Sequence, residues 1–109
     1  MCTCITYENG DFYFGRNLDL EYSFGEVVIT PRNHPLTFKR MESMGRHYGM
    51  IGMAAVMEEY PMYAEAVNEK GLCMAGLNFP GNAFYPVAGK KKYQVTPYEV
   101  IPWLLGQGA

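Results

Sequence analysis

From Thr3 to Tyr7 the chain alternates between side chains suited to opposite faces of a pleat, with β-branched and aromatic residues prominent. It does so again from Asp11 to Phe14. A period of two over such residues predicts strands, and Asn9-Gly10 between them predicts a tight turn, hence a hairpin. A two-residue turn at Asn9-Gly10 pairs residues whose numbers sum to nineteen and sets Arg16 opposite Thr3, on the face away from Cys2. One extra residue in the reversal shifts the sum to twenty. Arg16 then stands opposite Cys4, on the same side as Cys2.

The pattern beyond the hairpin is mixed. Leu18 to Gly25 is aromatic and irregular and reads as a loop over a cleft. Glu26 to Thr30 is a strand ended by Pro31, and Leu36 to Lys39 a short return strand. Met41 to His47 is polar with a glycine, an expected exposed turn. Tyr48 to Val56 is small and apolar, consistent with a buried central strand, and Met57 to Pro61 reads as a second loop. Met62 to Asn68 and Leu72 to Leu77 flank Asn68-Glu69-Lys70-Gly71, a further hairpin signal with Gly71 free to take positive φ. Phe79 to Lys92 is rich in Gly, Pro, Tyr and Lys and predicts a loop. Thr96-Pro97-Tyr98-Glu99 is a capping box with proline at the first helical position, so a helix starts there. Pro102 removes a helical hydrogen bond to the Tyr98 carbonyl, which predicts a kink. Strands followed by one helix make this an α+β chain with antiparallel pairing.

One hundred and nine residues form one small domain, residues 1–109, with enough apolar content to bury a core. Nine basic residues against eleven acidic ones give −2, and Lys90-Lys91-Lys92 is the longest run of either sign. Nucleic-acid binding has no support in that balance. No apolar stretch approaches the ~20 residues of a membrane span. A basic segment leading into an apolar core is absent from the N-terminus, so a cytoplasmic location is expected. Three cysteines are an odd number, and Cys2 and Cys4 are too close for an ordinary bridge, so reduced thiols are expected. A metal site built from Cys2, Cys4, Cys73 and either His34 or His47 is the sharper alternative, but its spacing matches none of the usual zinc patterns.

Cys2 has a different claim on chemistry. Removal of Met1 leaves it as the N-terminal residue, with a thiol nucleophile and a free α-amine together. That amine, with an ordinary pKa of about 7.7–8.0, can exchange a proton with the thiol at neutral pH. Such a cysteine needs no separate histidine as base.

The motifs around it form a set. Cys2-Thr3 opens a strand and Gly15-Arg16-Asn17-Leu18-Asp19 follows. Then come Glu21-Tyr22-Ser23-Phe24, Thr30-Pro31-Arg32, Tyr60-Pro61, Asn68-Glu69-Lys70-Gly71-Leu72 and Gly76-Leu77-Asn78-Phe79-Pro80. In this order they resemble the choloylglycine hydrolase family, which holds the bile salt hydrolases and penicillin V acylases. The resemblance covers nearly the whole chain. It implies the N-terminal part of a four-layer αββα N-terminal-nucleophile sandwich, lacking the second sheet, most helices and a second Asn and Arg of the family's site. The sequence therefore reads as a fragment, expected to be inactive by itself and either to self-associate or to need its missing remainder as a partner.

Carried over residue by residue, the resemblance implies Cys2 as nucleophile, Arg16 beside it favouring thiolate, Asp19 accepting from the N-terminal amine, and Asn78 giving its side-chain amide to the oxyanion. The hairpin must then adopt the sum of twenty, so a bulge or longer loop is expected around Glu8–Asp11. Leu18, Tyr22, Phe24, Met57 and Tyr63 lie on the two loops that flank the family's site and are candidates to line an apolar acyl pocket. Asn at position 78 and the Cys2-Thr3 start favour a conjugated bile salt as substrate over penicillin V. No cofactor or metal is implied, and the full-length form is expected to be a homo-oligomer. A non-catalytic structural or interaction piece is the alternative of another class.

Overall fold

The computed structural model describes residues 1–19, 25–91 and 93–108. Two antiparallel sheets and a C-terminal helix make up the chain. β1 (Thr3–Asn9) and β2 (Asp11–Asn17) form a two-stranded hairpin. β3 (Glu26–Thr30), β4 (Met50–Met57), β5 (Tyr60–Asn68) and β6 (Cys73–Ala75) form a four-stranded meander in sequence order. A single 3-10 turn, Pro97–Glu99, leads into α1 (Val100–Gln107).

The hairpin adopts the register that its chemistry requires. Cys4 stands opposite Arg16 and Thr3 opposite Asn17, a sum of twenty throughout. The reversal centres on Gly10 at φ 73°, with Asn9 facing Asp11, in place of the two-residue turn that Asn-Gly favours.

In the larger sheet, Val28, Thr30, Met50, Ala54, Tyr63 and Ala66 turn toward the helix. Ile101 and Leu105, one helical turn apart, close over them together with Leu36. An irregularity in β5 sets the alternation there: Met53 pairs with Glu65 but Ala54 with Tyr63, so Ala64 is an extra residue. The buried positions accordingly change from odd (Pro61, Tyr63) to even (Ala66, Asn68) across it. Close to this irregularity, Gly52 lies against β5, where a Cβ would fall 1.9 Å from the Glu65 carbonyl oxygen.

Buried polar groups at both ends of the helix find partners. Glu99, fully buried, accepts from the Thr96 N–H at 3.1 Å, the Thr96 hydroxyl at 2.6 Å and the Lys39 N–H at 2.9 Å. Asn68 Nδ2 donates to the Leu105 carbonyl at 2.8 Å and the Gly108 carbonyl at 2.6 Å. Its Oδ1 accepts from the Lys70 and Leu72 N–H groups, closing the turn after β5. One side chain thus satisfies carbonyls that a helix end leaves without partners and also shapes a hairpin.

Several expectations need correction. Leu36 to Lys39 forms no strand; Leu36 makes a single bridge to Met44. Met41 to His47 is not wholly exposed, since His47 is buried with its ring nitrogens against the Tyr48 and His34 carbonyls. Met57 to Pro61 is no open loop but a tight turn, with Glu58 and Glu59 both at positive φ. β4 is central as expected, but one face is open at Ile51. The expected kink at Pro102 is a change from 3-10 to α geometry ahead of it. Pro102 itself lies in the first turn of α1, where an N–H would lack a helical acceptor in any case. The expected loop from Leu18 to Gly25 lies largely outside the described residues. Among those described, no helix is long and apolar enough to cross a membrane.

Candidate active site

Cys2 immediately precedes β1 and is 7% exposed. The backbone N–H groups of Asn78 and then Asp19 favour the thiolate and hold the Cys2 pKa below its ordinary value. Burial opposes this, and the positive charge of the Arg16 guanidinium adds to the lowering. Three parts of the chain meet at one sulfur: the residue before β1, the end of β2 with the residues after it, and the segment after β6.

The hairpin register delivers Arg16, and the sheet holds it. Its side chain is only 6% exposed. Nη1 donates to the Glu65 carboxylate at 2.8 Å and the Ala64 carbonyl at 3.0 Å, Nη2 to the Gly76 carbonyl at 2.9 Å, and Nε to the Asn17 carbonyl at 3.2 Å. The extra residue in β5 makes this possible. Displaced from the regular ladder, the Ala64 carbonyl is free to accept from both Arg16 and the Gly76 N–H.

Asp19 is exposed and forms an ion pair with the α-ammonium of Met1. The hydrogen bond between them lowers the Asp19 carboxyl and raises the ammonium. Thr3 N–H donates to Asn17 Oδ1 at 2.6 Å, fixing the start of β1 against the end of β2.

The proposed catalytic positions therefore converge: Cys2, Arg16, Asp19 and Asn78 are gathered at the hairpin's open end. Asn78 arrives through its main chain, a donor that a sequence motif does not reveal. The three described pocket candidates, Leu18, Met57 and Tyr63, do not gather in this way. Leu18 is half-buried beside Asp19. Met57 is exposed and borders a cleft of about 490 Å³ that also includes Phe38, Tyr60, Met62 and Tyr98. Tyr63 packs in the core and shares a 2.6 Å hydrogen bond with the Thr30 hydroxyl. Tyr22 and Phe24 lie outside the described residues. Among the described residues no three His, Cys, Asp or Glu side chains come together as metal ligands. Glu65 had no motif to mark it; its place against Arg16 follows from pairing 49 positions away in sequence.

The model of the choloylglycine hydrolase family, linear amide C–N hydrolases, matches residues 2–109. A bile salt hydrolase/transferase of Lactiplantibacillus plantarum is 55% identical over 98% of the chain, which covers 33% of that relative. A conjugated bile acid hydrolase of Lactobacillus gasseri is 42% identical over 95% of the chain and is covered to 34%. Among solved structures, a mutant conjugated bile acid hydrolase from Clostridium perfringens superposes with a TM-score of 0.86 at 34% identity. That match takes in 99% of this chain and 34% of the other. The chain thus spans about a third of the length of the relatives it matches. On the family match over residues 2–109, the chain belongs to the choloylglycine hydrolase family.

Proposed function

We propose that this chain carries the nucleophile of a bile salt hydrolase-like amidase that cleaves the amide joining a bile acid to glycine or taurine. The observation that carries the reading is the environment of Cys2: a nearly buried thiol made more acidic by two backbone N–H groups and an arginine.

With Met1 removed, the α-amine of Cys2 takes the thiol proton, and Asp19, which pairs with the α-ammonium of Met1 while that residue is present, is the proposed acceptor for the new amine. The thiolate attacks the amide carbonyl, forming a carbon–sulfur bond and an oxyanion that Asn78 stabilises. Such donors are worth roughly 3–4 kcal/mol where they have been removed. The amine then protonates the departing nitrogen and the carbon–nitrogen bond breaks, leaving a thioester. Water, deprotonated by the same amine, releases the bile acid. The Lactiplantibacillus plantarum relative is named a hydrolase/transferase, and the same thioester can pass its acyl group to an amine in place of water. The working form is proposed to be a cytoplasmic homo-oligomer, with residues 1–109 part of a single catalytic domain.

The test is hydrolysis of glycocholate, taurocholate and penicillin V by the complete protein, with Met1 removal read from intact mass. Release of glycine or taurine, lost by roughly a thousandfold or more in Cys2→Ser with the thermal transition unchanged, is the expected outcome. Near-normal turnover by that variant excludes the thiol mechanism, and preferential cleavage of penicillin V reassigns the substrate. A polypeptide of these 109 residues alone is expected to be slower by about a hundredfold or more, since slack of about 1 Å at the reacting atoms has that effect.

A further inference from the structure

We propose that Glu65 is a positioning residue for Cys2: its carboxylate fixes the Arg16 guanidinium in the one orientation from which it meets the thiol. This rests on the reading of Cys2 as nucleophile and extends it to a residue on β5 that touches neither sulfur nor substrate. A guanidinium has five N–H donors in a rigid plane. Four are taken, by the Asn17, Ala64 and Gly76 carbonyls and by Glu65. The fifth, on Nη2, is the one left over, and the hairpin register sets Arg16 on the same side as Cys2, whose thiolate it favours. Because the plane is rigid, fixing Nη1 and Nε fixes where that last N–H points.

Glu65 differs from the other three acceptors in two respects. They are neutral carbonyls, whereas it carries charge and makes the 2.8 Å contact, the shortest of the four. Charge-assisted bonds of this type are about twice as strong as neutral ones. Its own side chain is 19% exposed, so the pair is sheltered and less screened than a surface ion pair. The three carbonyls are held by backbone pairing that does not use the carboxylate: Ala64 and Gly76 lie beside the paired Glu65 and Ala75 of β5 and β6, and Asn17 is paired with Thr3 in the hairpin. Losing the carboxylate therefore loosens the guanidinium without dismantling the strands.

The experiment uses the complete protein in a Cys4→Ser, Cys73→Ser background, so that iodoacetamide reports Cys2 alone. Two quantities are read: the pH midpoint of Cys2 alkylation, and kcat against KM for glycocholate. Glu65→Ala is expected to move the midpoint to higher pH and lower kcat at least tenfold with KM within about twofold. Glu65→Gln, which keeps an acceptor for Nη1, is expected to restore most of both. A purely structural role predicts lowered thermal stability with a wild-type midpoint, and that result overturns the proposal. So does a Glu65→Ala protein with wild-type kcat. If Glu65→Ala does not fold, Glu65→Asp replaces it: the shortened carboxylate cannot reach Nη1, and a wild-type midpoint in that variant is equally fatal. Alkylation needs no turnover, so a protein inactive on glycocholate whose Cys2 midpoint still shifts refutes the substrate assignment and leaves the positioning role standing.

Discussion

The two sheets are held by opposite means. The four-stranded sheet is a burial structure: Met50, Ala54, Tyr63 and Ala66 lie under Ile101, Leu105 and Leu36, and buried Glu99 and Asn68 at the helix ends find hydrogen-bond partners. The hairpin buries little, with Ile5, Tyr7, Phe12 and Tyr13 all exposed. What ties it to the rest is polar: Arg16 reaching three groups on the larger sheet and its following segment, and the Asn78 N–H reaching Cys2. Burial gives the sheet its stability, whereas directional bonds give the hairpin its position. Placing a nucleophile calls for direction, and a hydrophobic contact has none.

The difference can be broken at its stronger side first. Gly52→Ala places a Cβ 1.9 Å from the Glu65 carbonyl oxygen and 2.6 Å from the Ala66 Cα, both backbone contacts that cannot yield cheaply. The central pairing of β4 with β5 is expected to fail, at a cost above about 4 kcal/mol, seen as loss of a cooperative thermal transition by circular dichroism. A variant that melts normally would mean that the strands are not held this close.

A paired measurement sharpens the contrast. Leu105→Ala empties a fully buried position and is expected to cost about 2–5 kcal/mol by urea denaturation. Ile5→Thr, on the exposed hairpin, is expected to stay within about 0.5 kcal/mol. Equal losses would erase the distinction drawn here.

The smallest effect concerns a polar contact at the rim of the larger sheet. Arg32 and then the Gly49 N–H hold the Glu69 carboxyl down to about 2. A carboxyl lowered by folding adds stability above its unfolded value of about 4.3, and loses it as the pH falls toward 2. Glu69→Gln is therefore expected to flatten the acid limb of a stability–pH profile between about pH 4.5 and 2. The change is modest, because Arg32 is largely exposed and solvent screens the pair. An unchanged acid limb would show that the contact contributes nothing.

Much of this arrangement is legible in sequence where the cause is local. Alternation marks β1 and β2, Pro31 ends β3, Gly71 serves the turn before β6, and Thr96 to Glu99 starts the helix as its capping box predicts. Tertiary causes leave weaker traces. Glu58 and Glu59 carry no turn signal, yet both take positive φ because β4 and β5 pair up to Met57 and Tyr60. Leu36 has strand character but only one partner, Met44, so its pairing stops at a bridge. The family resemblance makes Tyr63 a pocket candidate, whereas it packs in the core, where the extra residue at Ala64 sets its parity. At the site, the residue types of Cys2, Arg16, Asp19 and Asn78 are readable. The carbonyls of Ala64 and Gly76 are not, since every residue has one and only the fold selects these two.

The reversal at Gly10 has a consequence for how the molecule's preferences are ranked. Asn9-Gly10 is the sequence that most favours a two-residue turn, and the hairpin declines it. A local preference is overruled by contacts Arg16 makes far along the chain, so the turn is a point of frustration in a landscape otherwise in agreement with itself. Such conflicts gather where function sets the terms. A single-residue slip toward the locally preferred pairing would leave two well-formed strands and turn Arg16 away from the sulfur. The hairpin would be intact in every bond of its ladder, and silent.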